Sequence, residues 1–494
     1  MNDRRDLELV LESGAPIVVI QTTDEERFLK LLTEIATGHA TRGYRPLFRW
    51  SVTDGLQRLD LALEPQRHNA APEDVLRHIR AVDKAGIYAL LDFHPFLADP
   101  VHIRLLKDIA INAERSKVAV LLIGDRIELP NELQRLSAHF SVRLPNRQER
   151  LGIVEHCLED YECEHSQGVR VDSAALDMLV TNLSGLTHAD VERLARNAIR
   201  DDGAISAEDV PATMQAKYRL LNRGGILGFE YETAQLRELA GFRNVKVWLA
   251  QRRAAFRGQR PQGVDPPRGI LLIGVQGCGK SIAAKAAASA FGVPLLRMDF
   301  GALYNKYHGE TERNLRESLE TAEVMSPCVL WLDEIEKGLG TGMDDSGTSR
   351  RVLGALLTWM AERRSPVFMV ATANDVDQLP PELVRKGRFD EVFFVDLPGP
   401  TTRAEILTIH LRRRGLTPDG LDLPALVELT EGFSGAEIEQ GIVAALYAAH
   451  ALGHRPGTEH LAAEYKKTKP LSVMMAERVA ALRRWAKSRT VAAE

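Results

Sequence analysis

Gly274-Val275-Gln276-Gly277-Cys278-Gly279-Lys280-Ser281 has the residue types and spacing of a loop that cradles nucleotide phosphates. Its glycines let backbone N–H groups turn toward an anion. Lys280 is expected to reach the β- and γ-phosphates, and the Ser281 hydroxyl to help hold Mg²⁺. Ile282 joins the loop among the expected nucleotide contacts and opens an alanine-rich, helix-forming run that ends at Phe291. A second constellation is Asp333-Glu334. Asp333 is expected to orient the metal through its waters, and Glu334 to polarise the water that attacks the γ-phosphate. Asn374 is expected to hold that water or sense the phosphate. Arg385 and Arg388 flank a turn glycine and could stabilise transition-state charge, from a neighbouring subunit if not in cis. A basic cluster of this kind is also an ordinary solvated face.

These groups need elements that bring them together. Gly269-Ile270-Leu271-Leu272-Ile273 reads as a buried parallel strand running into the loop, and the helix after the loop presents its N-terminus to the anion. Cys328 to Asp333 and Val367 to Ala373 read as further buried strands whose carboxyl ends carry the acids and the asparagine. In a parallel sheet, ligands bind at that edge. Cys278 stands near a helix N-terminus and Lys280, a setting that lowers a thiol pKa and would make oxidation a block to nucleotide binding. The inert reading is a small residue tolerated in a glycine loop.

The first half repeats this plan without the chemistry. Apolar strands are expected at Pro16 to Ile20, Pro46 to Trp50, Ile87 to Leu91 and Val118 to Ile123, alternating with helical segments. Arg45 to Trp50 resembles Val293 to Met298, Leu91-Asp92 aligns with Leu332-Asp333, and Gly185 to Val191 resembles Gly432 to Ile438, always about 250 residues apart. Gln21-Thr22-Thr23-Asp24-Glu25 stands where a phosphate loop belongs, with acids instead of glycine and lysine. The expected organisation begins with a nucleotide-incompetent domain over 1–222, its α/β body spanning 1–147 and its helical lid 148–222. A hinge over 223–230 follows. A nucleotide-binding α/β domain over 231–400 and a helical lid with a basic C-terminal helix over 401–494 complete it.

Composition excludes other classes. The 494 residues carry a formal net charge of −5, so no bulk basic character points to nucleic acid. No apolar run reaches membrane-spanning length, and four cysteines suit a reducing, cytoplasmic setting. His156, Cys157, Cys163 and His165 match none of the common zinc spacings.

The ordered motifs resemble an AAA ATPase module. They are the phosphate loop, Leu332-Asp333-Glu334, Ala371-Thr372-Ala373-Asn374, Arg385-Lys386-Gly387-Arg388-Phe389-Asp390 and Gly432-Phe433-Ser434-Gly435-Ala436-Glu437. The last two are similar to the AAA-proper clade. The whole chain resembles the AAA proteins of cyanobacteria and algal plastids called hypothetical chloroplast reading frames. The resemblance implies an α/β P-loop NTPase fold, a parallel sheet flanked by helices plus a helical lid, preceded by a degenerate AAA-like domain of similar architecture. It implies ATP and Mg²⁺ as cofactors and a homo-oligomeric ring, usually hexameric, in which Arg385 and Arg388 act on the next subunit's ATP. Gly241, within Leu239-Ala240-Gly241-Phe242, and Gly435-Ala436 would help enclose adenine and ribose. Tyr307, in Leu303 to Glu310, matches the first pore loop that grips a protein chain, and Gly338 to Gly347 matches a second channel loop. Taken alone, Tyr307 is a plain half-buried tyrosine. The implied function is ATP-driven remodelling or threading of a protein partner. An ATP-dependent assembly switch that threads nothing stays open, and a nucleic-acid motor fits the charge less well.

Overall fold

The computed structural model describes all residues except 1–2, 39–44, 62–68, 126, 166–167, 201–202, 222–226, 231–234, 260–261, 301–310, 340–347 and 386. Tyr307 with the first pore-loop segment, most of the second channel loop, Lys386 and the first part of the expected hinge, with Gly224 and Gly225, therefore lie outside the described residues. The chain divides into two compact units. One is Met1–Ile153 with Leu186–Arg193, the other Val154–Gly185 with Leu194–Glu494.

In the first unit, β1 (Ile17–Gln21), β2 (Leu47–Ser51), β3 (Gly55–Arg58), β4 (Gly86–Leu91), β5 (Val118–Gly124) and β6 (Ser137–Ser141) form one sheet in the order β3-β2-β4-β5-β1-β6. All neighbours are parallel except β3, which pairs antiparallel with β2. The strands are apolar on both faces because helices cover both. Ile17 and Val19 face a core with Trp50, Leu76 and Leu106, while Val18 and Ile20 face one with Leu7, Phe28 and Leu32.

In the second unit, β7 (Arg170–Val171) and β8 (Ala204–Ile205) make a short separate pair. The main sheet contains β9 (Leu227–Glu230), β10 (Gly269–Gly274), β11 (Leu295–Asp299), β12 (Cys328–Asp333), β13 (Val367–Ala373), β14 (Glu391–Val395) and β15 (Val491–Ala492), in the order β15-β14-β10-β13-β12-β11-β9. Setting aside β15 and the antiparallel edge strands, the five parallel strands follow the order of the first unit; the edge strand differs in origin, β3 following β2 along the chain and β9 preceding β10. The degenerate domain thus shares the architecture of the active one. Helices Pro400–Arg413, Leu423–Leu429, Gly435–Ala451 and Thr458–Lys467 build the lid around Leu407, Leu426, Ile438 and Tyr465.

Two details depart from the sequence reading. Met214 and Tyr218 of helix Asp209–Leu221 enter the same core as Leu296 and Leu330, so this end of segment 148–222 packs into the second unit rather than capping the first. Their apolar face is covered by the β9 edge, where the Tyr218 hydroxyl also donates to the Leu227 carbonyl. The basic C-terminal helix, Ala476–Ala486, lies against the α/β body. Arg483 pairs with Asp396, Arg478 with Asp375, and Trp485 packs on the sheet core.

Candidate functional site

β10 is wholly buried and delivers the loop to the carboxyl edge of the sheet. Gly274 (φ +154°) has no room for a side chain, because a Cβ there would collide with the Val395 carbonyl. Helix Lys280–Phe291 starts after Gly279 (φ 91°), and no side chain caps it. Its first N–H groups therefore stay available to an anion. Lys280 is only 6 % exposed. Its Nζ donates to the carbonyls of Gly274 (2.9 Å) and Val275 (2.7 Å). Burial pulls its pKa down to about 8, against the opposing pull of Cys278, Glu336, Glu334 and Asp333. The lysine is thus held over its own loop, short of the negative charge that would restore it.

The acids stand beside it at the end of β12, with Thr372 of the neighbouring β13. Thr372 Oγ1 donates to Asp333 Oδ1 (2.9 Å) and accepts the Glu334 backbone N–H (3.1 Å). Arg297 Nη2 donates to the other Asp333 oxygen at 2.9 Å. Glu334 takes a left-handed backbone, φ 47°, that turns the chain off the strand end. Its Oε1 accepts from Asn374 Nδ2 at 2.9 Å, and its Oε2 pairs with Lys337. The Asn374 backbone N–H in turn donates to Glu336 Oε1 at 2.9 Å. Burial raises the Glu336 pKa, with Glu334 adding to the rise.

Lys280, Asp333, Glu334, Thr372 and Asn374 border a cleft of about 350 Å³. Gln276, Gly277, Cys278, Gly279, Lys280, Ser281, Ile282, Asp333, Glu334, Asn374, Gly435 and Ala436 all line it. Gly274 and Val275 stand behind it as the loop's anchor, the Val275 N–H donating to the Val395 carbonyl at 3.0 Å. Gly241 lies beside it, its N–H donating to Glu405 at 2.8 Å, while Leu239, Ala240 and Phe242 reach the lining. The lid closes directly on the loop. The Ala436 N–H donates to the Gly277 carbonyl at 3.0 Å, and a Cβ on Gly277 would press on Ala436 and Ser434. Arg385 is exposed and Arg388 Nη1 donates to the Leu357 carbonyl at 3.2 Å; neither lines this chain's own cleft.

Sequence reasoning misses four partners of the site: Thr372, Glu336, Arg297 and His410. Thr372 stands inside Ala371-Thr372-Ala373-Asn374, and Glu336 only two residues beyond Glu334. His410 lines the cleft from the lid, 3.3 Å from Glu439, with its pKa lowered by burial. The expected activation of Cys278 is corrected. Burial outweighs the nearby Lys280 and pushes the thiol up to about 12, so it carries almost no thiolate near neutral pH.

Asp333 and Ser281 put a carboxylate and a hydroxyl on one cleft, the oxygen donors that a hard divalent cation takes. They fit Mg²⁺, which Asp333 and Ser281 would hold. Bound there, the ion would neutralise phosphate charge.

The sheet order, glycine loop, paired acids and lid define a P-loop nucleotide hydrolase with a helical lid. Residues 270–397 match the model of the ATPase family associated with various cellular activities (AAA). Residues 3–142 match the N-terminal domain of SpoVK-like AAA ATPases, and 148–224 their second domain. The AAA domain-containing protein ycf46 of Trieres chinensis is 32% identical over 98% of this chain and 96% of its own length. That of Guillardia theta is 32% identical over 98% of this chain and 94% of its own. The proteasome-activating nucleotidase of Aeropyrum pernix is 39% identical over 40% of this chain and 49% of its own. The chain belongs to the AAA ATPase family. Its activity is ATP hydrolysis.

Proposed function

We propose that this ATPase works as a homo-oligomeric ring, hexameric by family habit, and uses Mg²⁺-dependent hydrolysis to remodel or partly thread a protein partner. The observation that carries the reading is the direct bond between lid and phosphate loop, Ala436 N–H to Gly277 carbonyl. A change in the loop on nucleotide turnover is passed to the lid through that bond.

In the proposed chemistry, the loop amides and Lys280 hold the phosphates. Glu334 takes the proton of the attacking water, and Asn374 orients the Glu334 carboxylate. Arg385 and Arg388 serve the cleft of the adjacent subunit, which fits their absence from their own. Tyr307 grips the partner chain. Similarity to the proteasome-activating nucleotidase and to the cell division cycle protein 48 homologue of Archaeoglobus fulgidus, 38% identical over 36% of this chain, supports a protein substrate over nucleic acid. No helix among the described residues is long and apolar enough to cross a membrane. We assign the protein to the cytoplasm on its cysteine usage.

Glu334→Gln should bind ATP, hydrolyse it slowly and retain the partner in a pull-down. Tyr307→Ala should keep hydrolysis and lose remodelling of that partner. A partner remodelled normally by Tyr307→Ala would favour the assembly-switch reading.

A further inference from the structure

Glu336 is a carboxylate only 4 % exposed, bonded to Asn374 behind the cleft lining, yet none of the roles above uses it. Its Oε2 is buried with no hydrogen-bond partner, and its Oε1 is given to one bond, the Asn374 backbone N–H at 2.9 Å. An acid held this way is costly to bury, so a role in folding or in the site has to offset it.

The first unit supplies a control inside the same chain. Leu91-Asp92-Phe93-His94 closes β4 as Asp333-Glu334-Ile335-Glu336 closes β12. Asp92 has φ 49° against 47° for Glu334, and Phe93 and Ile335 are both fully buried. The backbone turn is therefore the same. This register also corrects the sequence alignment: Asp92 occupies the place of Glu334, and Leu91 that of Asp333. Around that turn the polar ring is absent. The Asp92 N–H donates to the Ile123 carbonyl at 2.8 Å instead of to a threonine hydroxyl. His94 stands where Glu336 would, and Asp125, after β5, offers no side-chain amide where Asn374 would. The same backbone turn forms in the first unit without a counterpart of the Glu336–Asn374 bond, so the turn geometry itself does not depend on it.

We propose that Glu336 is a positioning residue for hydrolysis: it fixes the end of β13 through the Asn374 backbone, so that the Asn374 side chain stays aimed at Glu334. Two bonds on one residue, 2.9 Å from its backbone to Glu336 and 2.9 Å from its amide to Glu334, make Asn374 a lever with a fixed pivot. Without the pivot the asparagine can swing, and Glu334 loses the contact that orients it. Displacements of about 1 Å at such a point cost on the order of 100-fold in rate. The inference rests on the ATPase site and is independent of what the proposed ring acts on.

The test is steady-state ATPase kinetics with fluorescent ADP binding on full-length variants. Glu336→Ala should lower kcat by about 30- to 100-fold and leave ADP affinity and Tm close to wild type. Glu336→Gln keeps an oxygen for the Asn374 N–H and should recover most of the rate. Asn374→Ala together with Glu336→Ala should be no slower than Asn374→Ala alone, within about threefold. If Glu336→Ala does not fold, Glu336→Asp, too short for the same bond, takes its place in each comparison. An unchanged kcat, a parallel loss of ADP affinity, failure of the glutamine to recover the rate, or additive effects in the double variant would each overturn the proposal.

Discussion

Lys280 carries a pH dependence that follows from its burial. Its pKa in the free protein is pulled down to about 8, below the ordinary lysine value, and phosphate binding favours the charged form. Below pH 8 the ammonium is already present, so affinity for ATP or ADP should be flat with pH. Above it, binding must take up a proton, and affinity should fall by up to about tenfold per pH unit. Titrating fluorescent ADP affinity from pH 7 to 9.5 checks this; a flat profile would contradict it. The folded-state shift has the opposite sign for stability: the buried charge costs stability below about 8, and the cost is relieved as pH rises toward the unfolded value. Cys278 gives a second prediction. With its pKa near 12, it should react with iodoacetamide at pH 7.5 far more slowly than the exposed Cys163, read by mass spectrometry of the two peptides.

Strand, loop and turn act as elements where backbone space is the scarce quantity. Gly274 ends β10 against the Val395 carbonyl with a backbone angle that other residues avoid at roughly 1–3 kcal/mol. Gly274→Ala adds a collision to that strain and should lower Tm by several degrees besides removing nucleotide binding. Circular dichroism melting reads the first effect and equilibrium binding the second; an unchanged Tm would mean the loop tolerates a side chain there. The strand–loop–helix unit is legible in sequence because glycine spacing and apolar runs are local signals. The polar ring is not. Thr372, Arg297 and Glu336 come from three different segments, and only the parallel register of β11, β12 and β13 sets them around Asp333 and Glu334.

At the scale of the whole molecule, one chain holds two copies of the same five-stranded parallel arrangement, and only the second carries the glycines and lysine of a phosphate loop. In the first copy three residues, Thr22, Thr23 and Asp24, span the gap from β1 to helix Glu25–Gly38, where five span it in the second. The Asp24 N–H bonds to Thr22 Oγ1 at 3.0 Å, closing a tight turn with acids around it. Full-length protein should therefore bind one nucleotide per chain by calorimetry, and Lys280→Ala should bind none with measurable affinity. Two nucleotides per chain would show that the first copy is not degenerate. If Arg385 serves a neighbour, specific ATPase activity should rise with protein concentration. Arg385→Ala should remove that rise by lowering kcat about 10³-fold, the order typical of arginine fingers in general.

The sequence alone determined what is written in short, local spacing: the phosphate loop, the paired acids, the asparagine, the duplication and the absence of the loop's glycines and lysine from its first copy. Distance in space decided the rest. Two close neighbours along the chain point to an activated Cys278, and the surrounding burial reverses the sign. Similarity over a few residues sets Asp92 against the wrong acid because it does not fix register, whereas a shared left-handed turn does. Along the chain Glu336 is one more acid in a run; in the fold it is sealed from water against the asparagine that faces Glu334. Spacing along the chain names the groups available for chemistry. Desolvation and hydrogen-bond direction, which exist only once the strands are side by side, decide what each group does.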